Sequence, residues 1–441
     1  MRKYFYDLLF KYLSLYIFSS DRLVSVFPAS ERLFSQFSEA KVVLSGGERF
    51  KVTEGSNTSI ALDNVKKFDP DFILLDGTLH YERDIQKLLD QVANQSFSHT
   101  RLVITFYSAL WKPFIRLATM LGLRNHLPED NWIAPEDVNN LLNLSNFEIV
   151  RSESRVLIPI YIPLISNLIN KYIAPLPLFR SFNLVNIIVA RPCILEMVTD
   201  SNLSVSVVVA ARNEEGNIDN IISRLPKMGP DDELILIEGN STDNTWKKIQ
   251  EVYEQNIDRM NMQIGQQDGR GKGDAVRKGF AMAKKDILMI LDADLTVPPE
   301  DLPKFYNAIV SGKGEYINGS RLVYPMEEKA MRFFNILGNK FFALAFSFVL
   351  GQRFKDTLCG TKVLTRKNYQ KLAAHRKYFG DFDPFGDFDL IFGSARMCLK
   401  IVEVPITYRE RLYGDTNISR WRHGVILLRM LFFAARKIKF I

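Results

Sequence analysis

Short apolar runs alternate with amphipathic stretches along this chain, and the alternation is set up twice, once in each half. In the first half, "DFILLD" (Asp71 to Asp76) and "TRLVITFYS" (Thr100 to Ser108) are apolar runs of strand length. Between them, "ERDIQKLLDQVANQ" spaces Ile85, Leu88, Leu89 and Val92 at helical intervals. "APEDVNNLLNLSN" carries Pro135 near a helix start and leads into the strand-like "FEIVRSES". "NLVNIIVARP" is a further strand-like run closed by Pro192. Alternation of this kind predicts α/β architecture.

The second half repeats the design more sharply. "VSVVVAARNEEGNIDNIISRL" reads as buried strand, polar turn and amphipathic helix, and "DELILIEGNSTDNTWKKIQEVY" does the same, with Ser241, Thr242 and Asp243 suited to capping a helix start. "DGRGKGDAVRKGFAMAKK" runs from a Gly-punctuated loop into a helix, and "DILMILDADL" is the next strand. The prediction is two Rossmann-like α/β domains. Residues 1–195 form the first, 196–203 a linker, 204–420 the second, and 421–441 a C-terminal amphipathic helix.

In a parallel sheet the ligand crevice lies at the carboxyl edge of the strands. "AARNE", "EGNSTD" and "DAD" all fall on that edge, so they should converge. Asp292 and Asp294 are two apart, and in extended chain they face the same side. Two carboxylates held together repel unless a positive charge lies between them. Hard oxygen ligands suit Mg²⁺ or Mn²⁺, with diphosphate oxygens completing the shell.

Composition narrows the partners. The 441 residues are 47% apolar and 24% charged, which fits folded protein rather than disorder. A net charge of +7 suits phosphorylated substrates or anionic headgroups, and no nucleic-acid-binding motif accompanies it. Cys193, Cys359 and Cys398 lack paired spacing, so neither a disulfide framework nor a zinc site is expected, and a cytosol-facing location is the simpler reading. Asp7 and Lys11 interrupt the apolar N-terminus, which predicts an amphipathic helix packed on the first domain rather than a signal peptide. No uncharged apolar stretch of about 18 residues predicts a membrane span. Two segments remain candidates for membrane contact: Val156 to Phe179, and the C-terminal stretch in which Arg429, Arg436, Lys437 and Lys439 punctuate an apolar face.

"FDPDFILLDGTLHYERDIQKLLDQV" and "WIAPEDVNNLLNLSNFEIVRSES" resemble parts of class I S-adenosylmethionine-dependent methyltransferases. "KVVLSGGERFKVTEGS" offers only Gly46 and Gly47 where that family needs a Gly-rich turn and an acidic ribose partner. A degenerate, scaffolding domain that does not hold S-adenosylmethionine is therefore expected, and His80 reads as structural.

From Val205 to Ser419 the motifs resemble family 2 glycosyltransferases of GT-A fold, most closely polyprenyl-phosphate (dolichyl-phosphate) mannose synthases. The resemblance implies a nucleotide-sugar donor bound along Ala211, Arg212, Asn213 and Glu214, with Glu238, Asn240, Ser241, Lys272, Gly273 and Asp292. It makes Asp292 and Asp294 the metal pair. Arg321 of "GSR" would face phosphate, and Arg332, Asp356, Lys362, Asp387 and Arg409 would line the acceptor side. Arg411 belongs to a closing motif in which Asn417 replaces the usual lysine, and Asp389 is the implied base.

The expected activity is metal-dependent, inverting sugar transfer to a polyprenyl phosphate by an enzyme peripheral on the cytoplasmic face of a membrane. Alternatives are transfer to a hydroxyl of a polysaccharide or glycolipid, a glycan-modifying methyltransferase, and a nucleotide-binding assembly protein.

Overall fold

Two mainly parallel sheets organise the chain in the computed structural model, which describes residues 2–26, 33, 35–37, 41–45, 65–122, 131–193, 203–324, 333–376, 388–411, 413 and 420–441. Residues 1–194 and 436–441 form one unit, and 195–435 form the other.

The first unit holds a six-stranded sheet of order β2-β1-β3-β4-β6-β5. Its strands are β1 (Arg22–Val26), β2 (Lys41–Ser45), β3 (Phe72–Asp76), β4 (Arg101–Tyr107), β5 (Phe147–Arg155) and β6 (Val185–Pro192). The pairs β2-β1-β3-β4 are parallel, and β6 runs antiparallel to both β4 and β5. Every residue of β3 and of β6 is buried, as expected for strands covered on both faces. The N-terminal helix Arg2–Leu13 buries Leu9, Tyr12 and Leu13 in this unit.

A charged cluster crosses the interior of the same unit. Glu153 on β5 accepts from Arg151 (2.5 Å), from Arg155 (2.9 Å) and from Lys439 (3.1 Å), and all four side chains are buried. The guanidinium of Arg155 lies over the Tyr12 ring and that of Arg151 over Tyr16. Burial raises the Glu153 pKa, but the three cations more than offset it and hold the carboxyl well below its usual range. Lys439, one of the four basic residues of the C-terminal stretch, is buried, whereas Arg429 and Arg436 are exposed. Burial lowers its pKa to about 8 despite Glu153, and it anchors the C-terminal residues in the first unit.

The second unit is a seven-stranded sheet of order β13-β11-β12-β10-β7-β8-β9. It comprises β7 (Val205–Ala211), β8 (Glu233–Glu238), β9 (Met262–Gln266), β10 (Ile287–Asp292), β11 (Tyr316–Ser320), β12 (Lys362–Thr365) and β13 (Ile401–Pro405). β10-β7-β8-β9 are parallel, as the motifs predict. β12 is antiparallel to both of its neighbours, β10 and β11, a reversal that the sequence pattern does not announce.

Candidate active site

Register brings the polar strand ends to one edge. Asp292 pairs with Ala210, Ala211 with Glu238, and Glu238 with Gln266. Beyond the strands the chain turns sharply: Asn213, Asn240 and Leu295 all have positive φ, at 56°, 58° and 53°. Asparagine tolerates that conformation better than most residues, whereas Leu295 is held there at some cost.

Side-chain bonds tie the first two turns together. Asn213 accepts the Thr242 N–H (2.8 Å) and donates its own N–H to Ser241 Oγ (3.0 Å). Glu238 Oε1 accepts the Ser241 N–H at 2.5 Å, and its Oε2 accepts from Gln266 at 3.1 Å. The Glu214 N–H donates to Thr245 Oγ1, and Asn240 donates to the carbonyl of Gly269. Arg212 is exposed at the first of these turns. Gly273 is buried in the first turn of the helix Gly271–Met282, which carries Lys272 towards β10.

The centre is a set of two carboxylate–cation pairs. Lys272 Nζ lies 2.5 Å from Asp292 Oδ1. Arg411 donates to Asp294 Oδ2 at 2.7 Å and to Glu214 Oε1 at 3.1 Å. The other Asp294 oxygen accepts the N–H (3.1 Å) and hydroxyl (2.8 Å) of Thr296. Burial raises the Glu214 pKa to about 7 against the opposing pull of Arg411. Asp292 and Asp294 keep 22% and 18% of their side-chain surface, so their oxygens remain within reach of a ligand. Among the described residues no three His, Cys, Asp or Glu side chains gather into a metal cage. Among the described residues a cation here would take these two carboxylates, which fits a hard ion completed by diphosphate and water.

The sequence places Gly360 only within the stretch Asp356 to Lys362, expected to line the acceptor side, and the structure sets it against Asp292. A Cβ built there would lie 2.0 Å from Asp292 Oδ2, so the backbone approaches the carboxylate closer than any side chain permits. The residue belongs to the segment entering β12, and only the reversed pairing of that strand brings it to Asp292.

The remaining predicted residues occupy other surroundings. The Arg321 guanidinium forms a two-pronged pair with Asp356 (2.7 and 2.9 Å); Asp356 is fully buried, and the Arg321 side chain keeps 11% of its surface exposed. Asp356 also accepts from Asn339; burial raises its pKa, yet Arg321 more than reverses this and holds it at about 2. Arg321 lies over the Tyr408 ring, 5.1 Å from its centre. Lys362 is buried and donates to the Cys359 carbonyl. Arg409 is exposed, with its backbone N–H on the Thr296 carbonyl. Asp389 pairs with Arg376 at 2.9 Å, and that arginine also donates to the Tyr369 hydroxyl. Arg332, Asp387 and Asn417 lie outside the described residues, as do Gly46 and Gly47.

In the first unit, His80 is built into the frame. The Tyr107 N–H donates to its Nε2 (2.8 Å), so Nδ1 carries the proton and donates to the Asn131 carbonyl (2.7 Å). Asp76, at the end of β3, accepts from the Thr105 hydroxyl, and burial raises its pKa to about 6.

Comparison with known proteins finds similarity to glycosyltransferases. The chain is 28% identical over 235 residues to glycosyltransferase AglJ of Haloferax volcanii, covering 53% of this chain and 72% of that protein. It is 28% identical over 221 residues to a dolichol-phosphate mannosyltransferase of Pyrococcus furiosus, covering 49% of this chain and 60% of that protein. Among solved structures, glucosyl-3-phosphoglycerate synthase from Mycobacterium tuberculosis is 18% identical, with 56% of this chain and 82% of that chain covered and a TM-score of 0.41. Residues 206–372 match the family model described as glycosyl transferase family 2, and Glu214, Glu238, Lys272, Asp292 and Asp294 all lie in that stretch. The stretch that matches glycosyl transferase family 2 thus lies within the second unit, around these side chains.

Proposed function

We propose that the chain transfers a hexose from a nucleotide-sugar donor to a polyprenyl phosphate, by a single inverting displacement on a GT-A-type domain. The observation that carries this reading is the paired arrangement Lys272–Asp292 and Arg411–Asp294 at the carboxyl edge of a parallel sheet. The name of the Pyrococcus furiosus relative supports the lipid-phosphate acceptor.

Asp292 and Asp294 would hold Mg²⁺ or Mn²⁺, which as a Lewis acid stabilises a departing nucleoside diphosphate. Lys272 and Arg411 are already oriented by carboxylates, and each can turn a charge-assisted hydrogen bond towards a diphosphate oxygen. The bonded turns around Asn213, Ser241 and Glu238 would give the nucleoside a rigid bed. The Arg321–Asp356 pair positions the Tyr408 ring rather than spending its charge on solvent. A polyprenyl phosphate is already ionised at neutral pH, so no strong base is required and Asp389 can remain paired with Arg376.

The first unit is inferred to be a methyltransferase-like scaffold. Its parallel strands β2-β1-β3-β4 support the likeness, and a His80 with both ring nitrogens engaged supports a structural role. Peripheral attachment to the cytoplasmic face of a membrane completes the reading. Among the described residues no helix is long and apolar enough to cross a bilayer, while Leu344 on the helix Phe333–Leu350 and Phe432 on the helix Arg420–Ala434 are more than 70% exposed.

A panel of nucleotide sugars scored by thermal shift with Mn²⁺ tests the donor assignment. A Mn²⁺-dependent rise in Tm for one donor, absent in Asp292→Asn, is expected. The absence of any donor response would overturn it.

A further inference from the structure

Two segments of the first unit expose large apolar side chains, and one of them buries polar ones instead. In the segment Leu157 to Phe182, Ser166 and Asn170 lie four residues apart on the buried side, at 0% and 1% exposure. Their polar atoms are fully used. Asn170 Oδ1 accepts the N–H groups of Leu157 and Ile158, and its Nδ2 donates to the Ile158 carbonyl and the Tyr4 hydroxyl. Ser166 Oγ accepts the Ile162 N–H and donates to the Ile160 carbonyl. On the outer side of the same segment, Leu164 and Leu168, also four apart, are 78% and 55% exposed, and Leu178 is 79% exposed. A helix packed for water has the opposite arrangement.

The helix Lys112–Met120 also turns apolar side chains outward, although its inner side is apolar too. Ile115 faces inward, while Phe114, Leu117 and Met120 are 60%, 53% and 83% exposed. The Trp111 indole N–H donates to the Phe182 carbonyl at 2.8 Å, which ties the two segments together at that point. Large apolar side chains exposed in such number on two linked segments favour a binding surface over chance exposure.

Charge selects the occupant. Neither Ala109 to Leu121 nor Leu157 to Phe182 contains a single Asp or Glu, whereas they carry Lys112, Arg116, Lys171 and Arg180. Lys11 adds to this: burial and then the nearby Lys171 hold its ammonium below the ordinary lysine value. Two apolar segments that carry cations and no carboxylate of their own match the boundary between acyl chains and anionic headgroups. We propose that these segments of the first unit form a lipid-docking surface that inserts shallowly into an anionic bilayer. It is carried by different residues from the exposed helices of the second unit and does not depend on the glycosyltransferase reading.

The test uses the full chain and no sugar donor. Partition into vesicles of phosphatidylcholine with 30% phosphatidylglycerol, a proportion of roughly the order used to mimic an anionic leaflet, is compared with partition into pure phosphatidylcholine. The wild type is expected to prefer the anionic vesicles. Leu164→Asp with Leu168→Asp, and separately Leu117→Asp with Met120→Asp, should each weaken partition at least about tenfold, following loss of buried apolar area. Because these side chains are exposed, Tm should stay unchanged. Arg116→Glu with Lys171→Glu should abolish the anionic preference. Unchanged partition in the aspartate variants would overturn the proposal, most directly if Leu344→Asp with Phe432→Asp alone removes binding. So would a wild-type dimer that the aspartate variants dissociate while no form binds vesicles.

Discussion

Arg411 donates to Asp294 at 2.7 Å although 117 positions separate the two residues, and its other amino group reaches Glu214. One guanidinium thereby closes the edge of the sheet over the second aspartate of the DAD motif. Replacing it with alanine leaves two carboxylates without their cation. Because the lost contacts are charge-assisted, worth about 1.5–3 kcal/mol, kcat/KM should fall roughly 10- to 150-fold. Steady-state kinetics of Arg411→Ala and Arg411→Lys check this, with lysine restoring part of the loss. Equal activity in all three proteins would remove Arg411 from the site.

Glu214 makes that contact sensitive to pH. Its carboxyl titrates near 7, so below that pH it is mostly protonated and Arg411 is available to phosphate; above it, the carboxylate competes for the guanidinium. Nucleoside diphosphate binding should therefore weaken as pH rises from 6 to 8, relative to Glu214→Gln. Calorimetric titration of both proteins at the two pH values measures the difference. Parallel pH dependence in the two would contradict the role given to Glu214.

Gly360→Ala places a methyl where the Asp292 carboxylate lies. Gly360 has no positive φ, so the backbone tolerates alanine and the conflict falls on a side chain held by Lys272. Tm should change little, while the apparent affinity for Mn²⁺ falls about tenfold or more, equivalent to ~1.4 kcal/mol. Unaltered Mn²⁺ binding would mean that Asp292 adjusts at no cost.

Much of the site was legible because it is local. A strand end and the turn that follows it are contiguous in sequence, so "AARNE", "EGNSTD" and "DAD" could each be assigned to the edge where the register brings them. The approach of Gly360 to Asp292 and the Thr296 contact were not legible, because they depend on tertiary approach. Nothing in "LCGTK" signals that β12 will run backwards beside β10. The Arg321–Asp356 pair was hidden for a related reason: sequence shows an arginine but not the carboxylate that takes up its charge. Likewise, the basic residues near the C-terminus have a stripe-like spacing, yet the Lys439 ammonium is drawn into the first unit by Glu153.

Glu153 is the sole carboxylate in a buried set with Arg151, Arg155 and Lys439. Glu153→Gln leaves three buried cations without a counter-charge and should destabilise the first unit by about 3–5 kcal/mol. Urea unfolding followed by tryptophan fluorescence reads the loss. A change below about 1 kcal/mol would show that the cations can find water or other partners.

Asp76 gives the opposite sign. Its folded pKa of about 6 lies above the ordinary aspartate value of 3.8, so its contribution favours the fold below pH 4 and is lost as pH rises through 6. Asp76→Asn keeps the acceptor for Thr105 and should stabilise the protein at pH 8 by up to about 3 kcal/mol, with little effect at pH 4. Thermal unfolding at both pH values decides; an equal effect at each would show that Asp76 is not titrating in the folded state.

The central claim concerns what the second unit does with a sugar. Labelled nucleotide sugar and polyprenyl phosphate are incubated with the full chain and extracted into organic solvent. The account predicts label in the organic phase that requires Mg²⁺ or Mn²⁺ and disappears in Asp294→Asn. Label transferred only to hydroxyl acceptors in the aqueous phase, or lipid-linked product undiminished in Asp294→Asn, would contradict it.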